Sequence, residues 1–259
     1  MDTSDFGDRM KSYEVSETKK RFDTKKPIVV RLDGRGFSKF TKPFKRPFDE
    51  DFRQLMIDVA TFAMKECDGI IAYTQSDEIT IIIDREEVYF NGKKQKILST
   101  LAGSVSSYFA IRAHELWPDH AKKSTPHFDC RVFNVPSRSE AVNEVLWRVK
   151  DCTRNSVSMV AHSNFTHKEL HKKNVSDMIS MLRLRKDIEW NEYDNLLKYG
   201  VFVVREVKEQ EIDDTTWNNI PAHSKPDNRV VKRNIVSVRG LDNPTYADIK
   251  NIMYGEIDD

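Results

Sequence analysis

The chain has 259 residues, 32% of them charged, and its 42 Lys and Arg against 41 Asp and Glu leave a formal net charge of +1. That length allows one large core or a core with an appendage, and the near balance of charge excludes a protein that holds polyanions by bulk charge alone. Three cysteines without metal-ligand spacing exclude a disulfide framework, while a polar N-terminal segment and the lack of any long apolar run predict neither a secretory leader nor a helical membrane span, so the expectation is a soluble cytoplasmic protein.

Residues 7–22 are predicted as a lead-in helix. A strand follows from Pro27, and its alternation places Ile28, Val30 and Leu32 on one face and Val29, Arg31 and Asp33 on the other, so an acid and a base leave the sheet away from the core. Phe52, Leu55, Met56, Val59, Phe62 and Ala63 then recur at helical spacing, with Gly69 as the stop. Residues 69–75 and 78–84 form a hairpin turning at Ser76-Asp77, with Ile79, Ile81 and Ile83 on one face. A second amphipathic helix carries Ile97, Leu98, Leu101, Val105, Tyr108, Phe109 and Leu116, and a strand spans 127–135. The order is βαββαβ, the ferredoxin-like split unit, in the α+β class. Beyond Pro136 a helical region is expected to about residue 186, with Val142, Val145, Leu146 and Val149 as its stripe and Ser137 with Glu140 as a capping box. Residues 200–207 and 229–238 read as extra strands, 215–228 as a loop, and the acidic end 256–259 as frayed. Two units are expected: 1–136, the lead-in helix and split unit, and 137–259, a helical region with C-terminal strands packed on the first as one body.

The topology places the motifs. A right-handed crossover makes the first two strands parallel and inserts the third between them, so Asp33 and Asp77 become neighbours at one sheet edge with Glu78 beside them. Two carboxylates about 4 Å apart repel by roughly 1 kcal/mol in water and roughly 4 kcal/mol near a protein surface. A hard divalent cation with oxygen ligands offsets that, and so does an ion-pair network through Arg31 or Arg35. Other motifs are declined. His167-Lys168-Glu169-Leu170-His171 lacks the Glu directly after the first His that a zinc-protease helix needs, no phosphate-binding glycine loop is present, and Gly34-x-Gly36 lacks the third glycine of a dinucleotide fingerprint. Phosphate handling therefore falls to metals and basic side chains.

Arg31-Leu32-Asp33-Gly34-Arg35-Gly36-Phe37 and Tyr73-Thr74-Gln75-Ser76-Asp77-Glu78, together with Phe128-Asp129-Cys130-Arg131-Val132-Phe133-Asn134-Val135-Pro136-Ser137, Trp147-Arg148 and His162-Ser163-Asn164, resemble the tRNA-histidine guanylyltransferase superfamily. The resemblance covers residues 8–208 and implies a polymerase-like palm with two Mg²⁺ ions on Asp33, the Gly34 carbonyl and Asp77, with Glu78 as a further catalytic acid. It implies nucleotide contacts at Arg31, Gly34, Arg35, Gly36, Phe37, Ser76 and Asp77, and triphosphate contacts at Lys93 and Lys96 where helix amides add their pull. Arg131, His162 and Asn164 are the tRNA contacts it implies. Bland readings stay open beside these: solvated lysines, an Asp129–Arg131 ion pair, and a solvated face for His162, His167 and His171.

The activity implied is nucleotidyl transfer to the 5′ end of a tRNA, with the incoming nucleotide supplying its 3′-hydroxyl and ATP or an existing triphosphate activating the tRNA end. ATP, GTP or other nucleoside triphosphates and tRNA are the implied partners, and a homotetramer the implied assembly. The family's His-Ile-Asn-Asn-Leu-Tyr-Asn signature survives only as His162 and Asn164, which resembles the guanylyltransferase-like branch and a template-dependent 5′-end repair enzyme. Addition of G at position −1 of histidine tRNA is the alternative. From other classes, a nucleotide cyclase shares a two-acid palm, and copurifying tRNA separates it; a passive RNA-binding module needs aromatics on the sheet face, where Arg31, Asp33, Asp129 and Arg131 stand instead.

Overall fold

A computed structural model describes residues 3–255 apart from residues 86 and 125, so the acidic end 256–259 lies outside the described residues. The first half runs α1 (Thr3–Thr18), β1 (Ile28–Arg35), α2 (Phe37–Phe40), α3 (Glu50–Glu66), β2 (Ile71–Gln75), β3 (Glu78–Ile83), α4 (Lys94–Leu116), α5 (Pro118–Ala121) and β4 (His127–Asn134). The second half runs α6 (Arg138–Asn164), α7 (His167–Leu170), α8 (Val175–Lys186), α9 (Asn195–Lys198), β5 (Val201–Glu211), α10 (Asp214–Asn219), β6 (Val230–Arg239) and α11 (Tyr246–Tyr254).

The strands form a single antiparallel sheet in the order β4-β1-β3-β2-β5-β6. The split unit is therefore present, and the two extra strands extend it beyond β2. On one face Ile28, Val30, Leu32, Ile79 and Ile81 pack against Leu55, Met56, Leu101 and Val105 of α3 and α4. On the other, Val29, Ile71, Tyr73, Ile82 and Phe202 pack against Val145 and Val149 of α6, Leu182 of α8 and Ile249 of α11. This corrects one expectation: the face carrying Arg31 and Asp33 is not turned away from a core. A second core covers it at the Val29 end, because β1 and β3 are interior strands roofed on both sides, and only the end holding Asp33 stays accessible.

Local chemistry sets the boundaries. Asp49 caps α3 by accepting from the Phe52 amide, and Ser137 caps α6 by accepting from Glu140 N. The helical region breaks into three helices because Thr166 with Glu169, and Asn174 with Asp177, each build a capping box that starts a new one. Residues 215–228 hold most of α10 rather than loop alone, and α11, capped by Thr245 with Asp248, has no counterpart among the predicted elements. Past Val204, β5 leaves β2 and pairs with β6 alone, so Arg205–Glu211 form a ribbon beyond the Ile71 end of the sheet.

The register fixes the ends. Ile28 pairs with Ile83 and Asn134, whereas Asp33 pairs with Glu78 and Asp129 at the opposite end. The start of α4 belongs to the Ile28 end, where Gly92 O accepts from Phe22 N, Lys20 O accepts from Lys94 N, and Asn134 bonds Asp23.

Candidate active site

Asp33 leaves the last third of β1, and Asp77 stands in the β2–β3 turn that Ser76 makes possible with its φ of 47°. The two carboxylates meet across Gly34: a Cβ at Gly34 would lie 2.5 Å from Asp77 Oδ2, so only a hydrogen leaves room for that oxygen over the backbone. Burial pushes the Asp77 carboxyl above the ordinary carboxylate range, and the charges of Asp33 and Glu78 push it further. Ser76 Oγ donates to Asp77 Oδ1 at 3.1 Å, and Arg131 stands 3.6 Å from Asp33 and 3.8 Å from Asp129, too far to neutralise the pair tightly. Among the described residues no three His, Cys, Asp or Glu side chains converge on one point. Two carboxylates and a backbone carbonyl, all hard oxygen donors and short of positive charge, fit Mg²⁺, which keeps waters and takes substrate phosphates in its remaining positions.

Glu78 is placed differently from Asp77. Its carboxylate accepts from Arg31 Nη2 at 3.0 Å and Arg148 Nη2 at 2.9 Å, and Arg148 also reaches Asp151 at 2.6 Å. Side-chain exposures of 15% for Arg31, 12% for Glu78 and 5% for Arg148 make this a half-desolvated clamp. The structure thus places Glu78 and Arg31 in one ion-pair cluster beside the acid pair, with a second guanidinium from α6 that the sequence alone did not bring to this point. Phe37 is buried with its ring 5.0 Å from Phe128, and the edge of that ring closes on Gly34, where an added Cβ would lie 2.5 Å from it, so Phe37 lines the site from the core side. Arg35 and Gly36, the latter at φ 85°, form the exposed exit of β1.

Lys93 and Lys96 are not at this site. They open α4 at the Ile28 end, roughly 15 Å of strand from Asp33, with the Lys96 ammonium 4.4 Å over the Phe90 ring. The helix lies antiparallel to β3, so its N-terminus and the hairpin turn occupy opposite ends. His162 and Asn164 lie at the far end of α6, where the Asn164 amide donates back to Val160 O at 2.9 Å.

Beside Asp77 opens a cavity of 340 Å³ between the α2–α3 loop, α3 and α6. Phe48, Met56, Met159 and Leu197 give it apolar walls, and Lys45, Arg46, Arg53, Gln75, Asn155 and Ser156 give it polar groups. A mostly apolar cleft of this size with a few convergent polar atoms is the usual receptacle for a flat heterocycle. Asp49 ties its loop wall to α3, accepting from Phe52 N at 3.0 Å and Lys45 N at 3.1 Å. Cys152 also lines it, with burial pushing its thiol up to about 12, so it contributes shape and no nucleophile. The part of α6 that faces the cavity is thus Cys152–Met159, before His162. Sequence reasoning passed over Asn155 and Ser156, which belong to no motif and reach the cavity only through the packing of α6.

Against known proteins, the sequence profile described as tRNAHis guanylyltransferase matches residues 7–136, half of the chain. A bacterial tRNA(His) guanylyltransferase-like protein solved in complex with ATP is 33% identical, covering 78% of this chain and 87% of that one with a TM-score of 0.72. A bacterial tRNA(His) guanylyltransferase-like protein in complex with GTP is 25% identical over 96% of this chain and 99% of that one, also with a TM-score of 0.72. A probable tRNA(His) guanylyltransferase of Mus musculus is 26% identical over 238 residues, 85% of this chain and 78% of its own length.

Proposed function

The chain belongs to the tRNAHis guanylyltransferase family of nucleotidyltransferases, and from that premise we propose that it rebuilds tRNA 5′ ends in the 3′-to-5′ direction under the direction of the opposing strand. The observation that carries the reading is the meeting of Asp33 and Asp77 over Gly34 at the mouth of the 340 Å³ cavity. The relatives solved with ATP and with GTP support a nucleoside triphosphate as its occupant.

Asp33, the Gly34 carbonyl and Asp77 would hold two Mg²⁺ ions, which lower the pKa of an attacking 3′-hydroxyl and neutralise charge on the leaving phosphate. The chain's own residues do the rest. The cavity walls seat the base and exclude water around it, Arg131 faces the phosphates over Asp33, and the Arg31–Glu78–Arg148 clamp keeps a third carboxylate out of the coordination sphere. Holding the triphosphate and the RNA end side by side turns a two-molecule encounter into an intramolecular one. A homotetramer working in the cytoplasm is the assembly we propose with it, and light scattering of the purified protein checks the former.

The test offers a tRNA lacking its first nucleotide, Mg²⁺ and each labelled triphosphate, with the opposing base varied through all four. Incorporation that follows the opposing base supports repair. G added regardless of the template, or onto full-length histidine tRNA opposite a base that does not pair with it, identifies dedicated guanylate addition instead.

A further inference from the structure

Strand β4 is an edge of the sheet, and α6 roofs β1, β3 and β2 without reaching over it. Its side chains on the Asp33 face therefore stand open: Asp129, Arg131 and Phe133, the last 36% exposed on a strand whose opposite face is packed into the core. Trp147 projects from α6 toward the same ledge. Its ring lies 5.2 Å from the Arg31 guanidinium and 4.4 Å from that of Arg148, yet the residue keeps 48% of its surface in solvent. Arg31 is the cross-strand partner of Arg131, and Arg131 reaches Asp33 at 3.6 Å. The result is a short track of Phe133, Arg131 and Trp147 ending at the acid pair.

Two exposed aromatics flanking an arginine have the composition of a surface that binds single-stranded nucleic acid, where bases stack on rings and phosphates meet guanidinium groups. The cation–π contacts with Arg31 and Arg148 set the position of the Trp147 ring, and the surface it keeps in solvent, like that of Phe133, is free to take a base. Resting on the proposed function, we propose that the β4–α6 ledge holds the single-stranded end of the RNA substrate, with bases stacked on Trp147 and Phe133 and the backbone against Arg131. Stacking there fixes where the duplex begins and so which 5′ phosphate lies over Asp33.

The experiment measures binding, without any triphosphate, of an RNA duplex bearing a short single-stranded 3′ tail and of the same duplex with a blunt end. Trp147→Ala should raise the Kd for the tailed RNA roughly 5- to 150-fold, the range for losing one stacked base, and abolish the preference for the tail. Trp147→Phe should restore most of it, and Phe133→Ala should act in the same direction on a residue that no core contact needs, so the test survives if Trp147→Ala fails to fold. Equal affinity of both alanine variants and the unsubstituted protein for tailed RNA overturns the proposal. So does an equal loss on blunt and tailed RNA, or a change of oligomeric state in place of a change of Kd, which would make the ledge a site where the β4 edges of two copies pair. Nucleotide incorporation by the unsubstituted protein is scored separately, so the enzymatic reading stands or falls independently of the tail.

Discussion

At Asp77, burial and like charge act in the same direction. A carboxyl whose folded-state pKa is raised favours the neutral form in the fold, so its stabilising contribution is full below the ordinary value of 3.8 and is lost as pH rises through the raised value. Asp77→Asn should therefore melt above the unsubstituted protein at neutral pH without divalent cations, and the gap should close as the pH falls below 3.8. The same variant, like Asp33→Ala, should lose nucleotide incorporation, and a variant with near-normal rate would remove the two-acid assignment. The acid pair was legible because two rules suffice for it: period two puts Asp33 at the strand end, and crossover handedness brings the hairpin turn to the same edge. The fate of Glu78 was not legible. Its partner Arg148 is 70 positions away on a helix whose placement over the sheet depends on packing that no local pattern records.

Among the elements, α6 links the second core to the site. Arg148, with 5% side-chain exposure, compensates both Glu78 and Asp151, so Arg148→Met leaves two carboxylates short of a partner. Removing one member of a buried pair typically costs about 3–5 kcal/mol, whereas an exposed pair is worth about 0–1 kcal/mol. Chemical denaturation should thus show Arg148→Met far less stable than Arg131→Met, where the side chain is 56% exposed, and equal losses would mean that the clamp carries little. Helices with a long apolar stripe, such as α3 and α4, were readable from spacing. The breaks after α6 were not, because they depend on Thr166 and Asn174 winning a competition between continuing a helix and capping a new one. The separation of Lys93 and Lys96 from the acid pair was hidden for a different reason: a helix N-terminus looks like an anion site wherever it stands, and only the strand register reveals which end of the sheet it occupies.

Across the whole molecule, stability should grade from the doubly roofed centre to the ribbon. Residues 205–211 and their partners on β6 are largely exposed and pair only with each other, while β1, β3 and β2 are enclosed by both cores. Native-state hydrogen exchange should open the ribbon amides first and those of β1 and β3 last, near the free energy of global unfolding. Protection of the ribbon equal to that of β3 would mean that something else covers it.

The placement of Lys93 and Lys96 divides the charged side chains between the two ends of the sheet. Lys20, Arg21, Lys93, Lys94 and Lys96 gather where the first strand begins, and Asp33, Asp77 and Asp129 gather where it ends. Basic side chains stand at the second end as well, Arg35 and Arg131 beside Asp33 and Lys45, Arg46 and Arg53 around the cavity, so a polyanion meets positive charge at both. What sets the acid end apart is that its positive charge surrounds two carboxylates brought together over Gly34, so anion and divalent cation would find their partners within one pocket, whereas the opposite end offers positive charge alone.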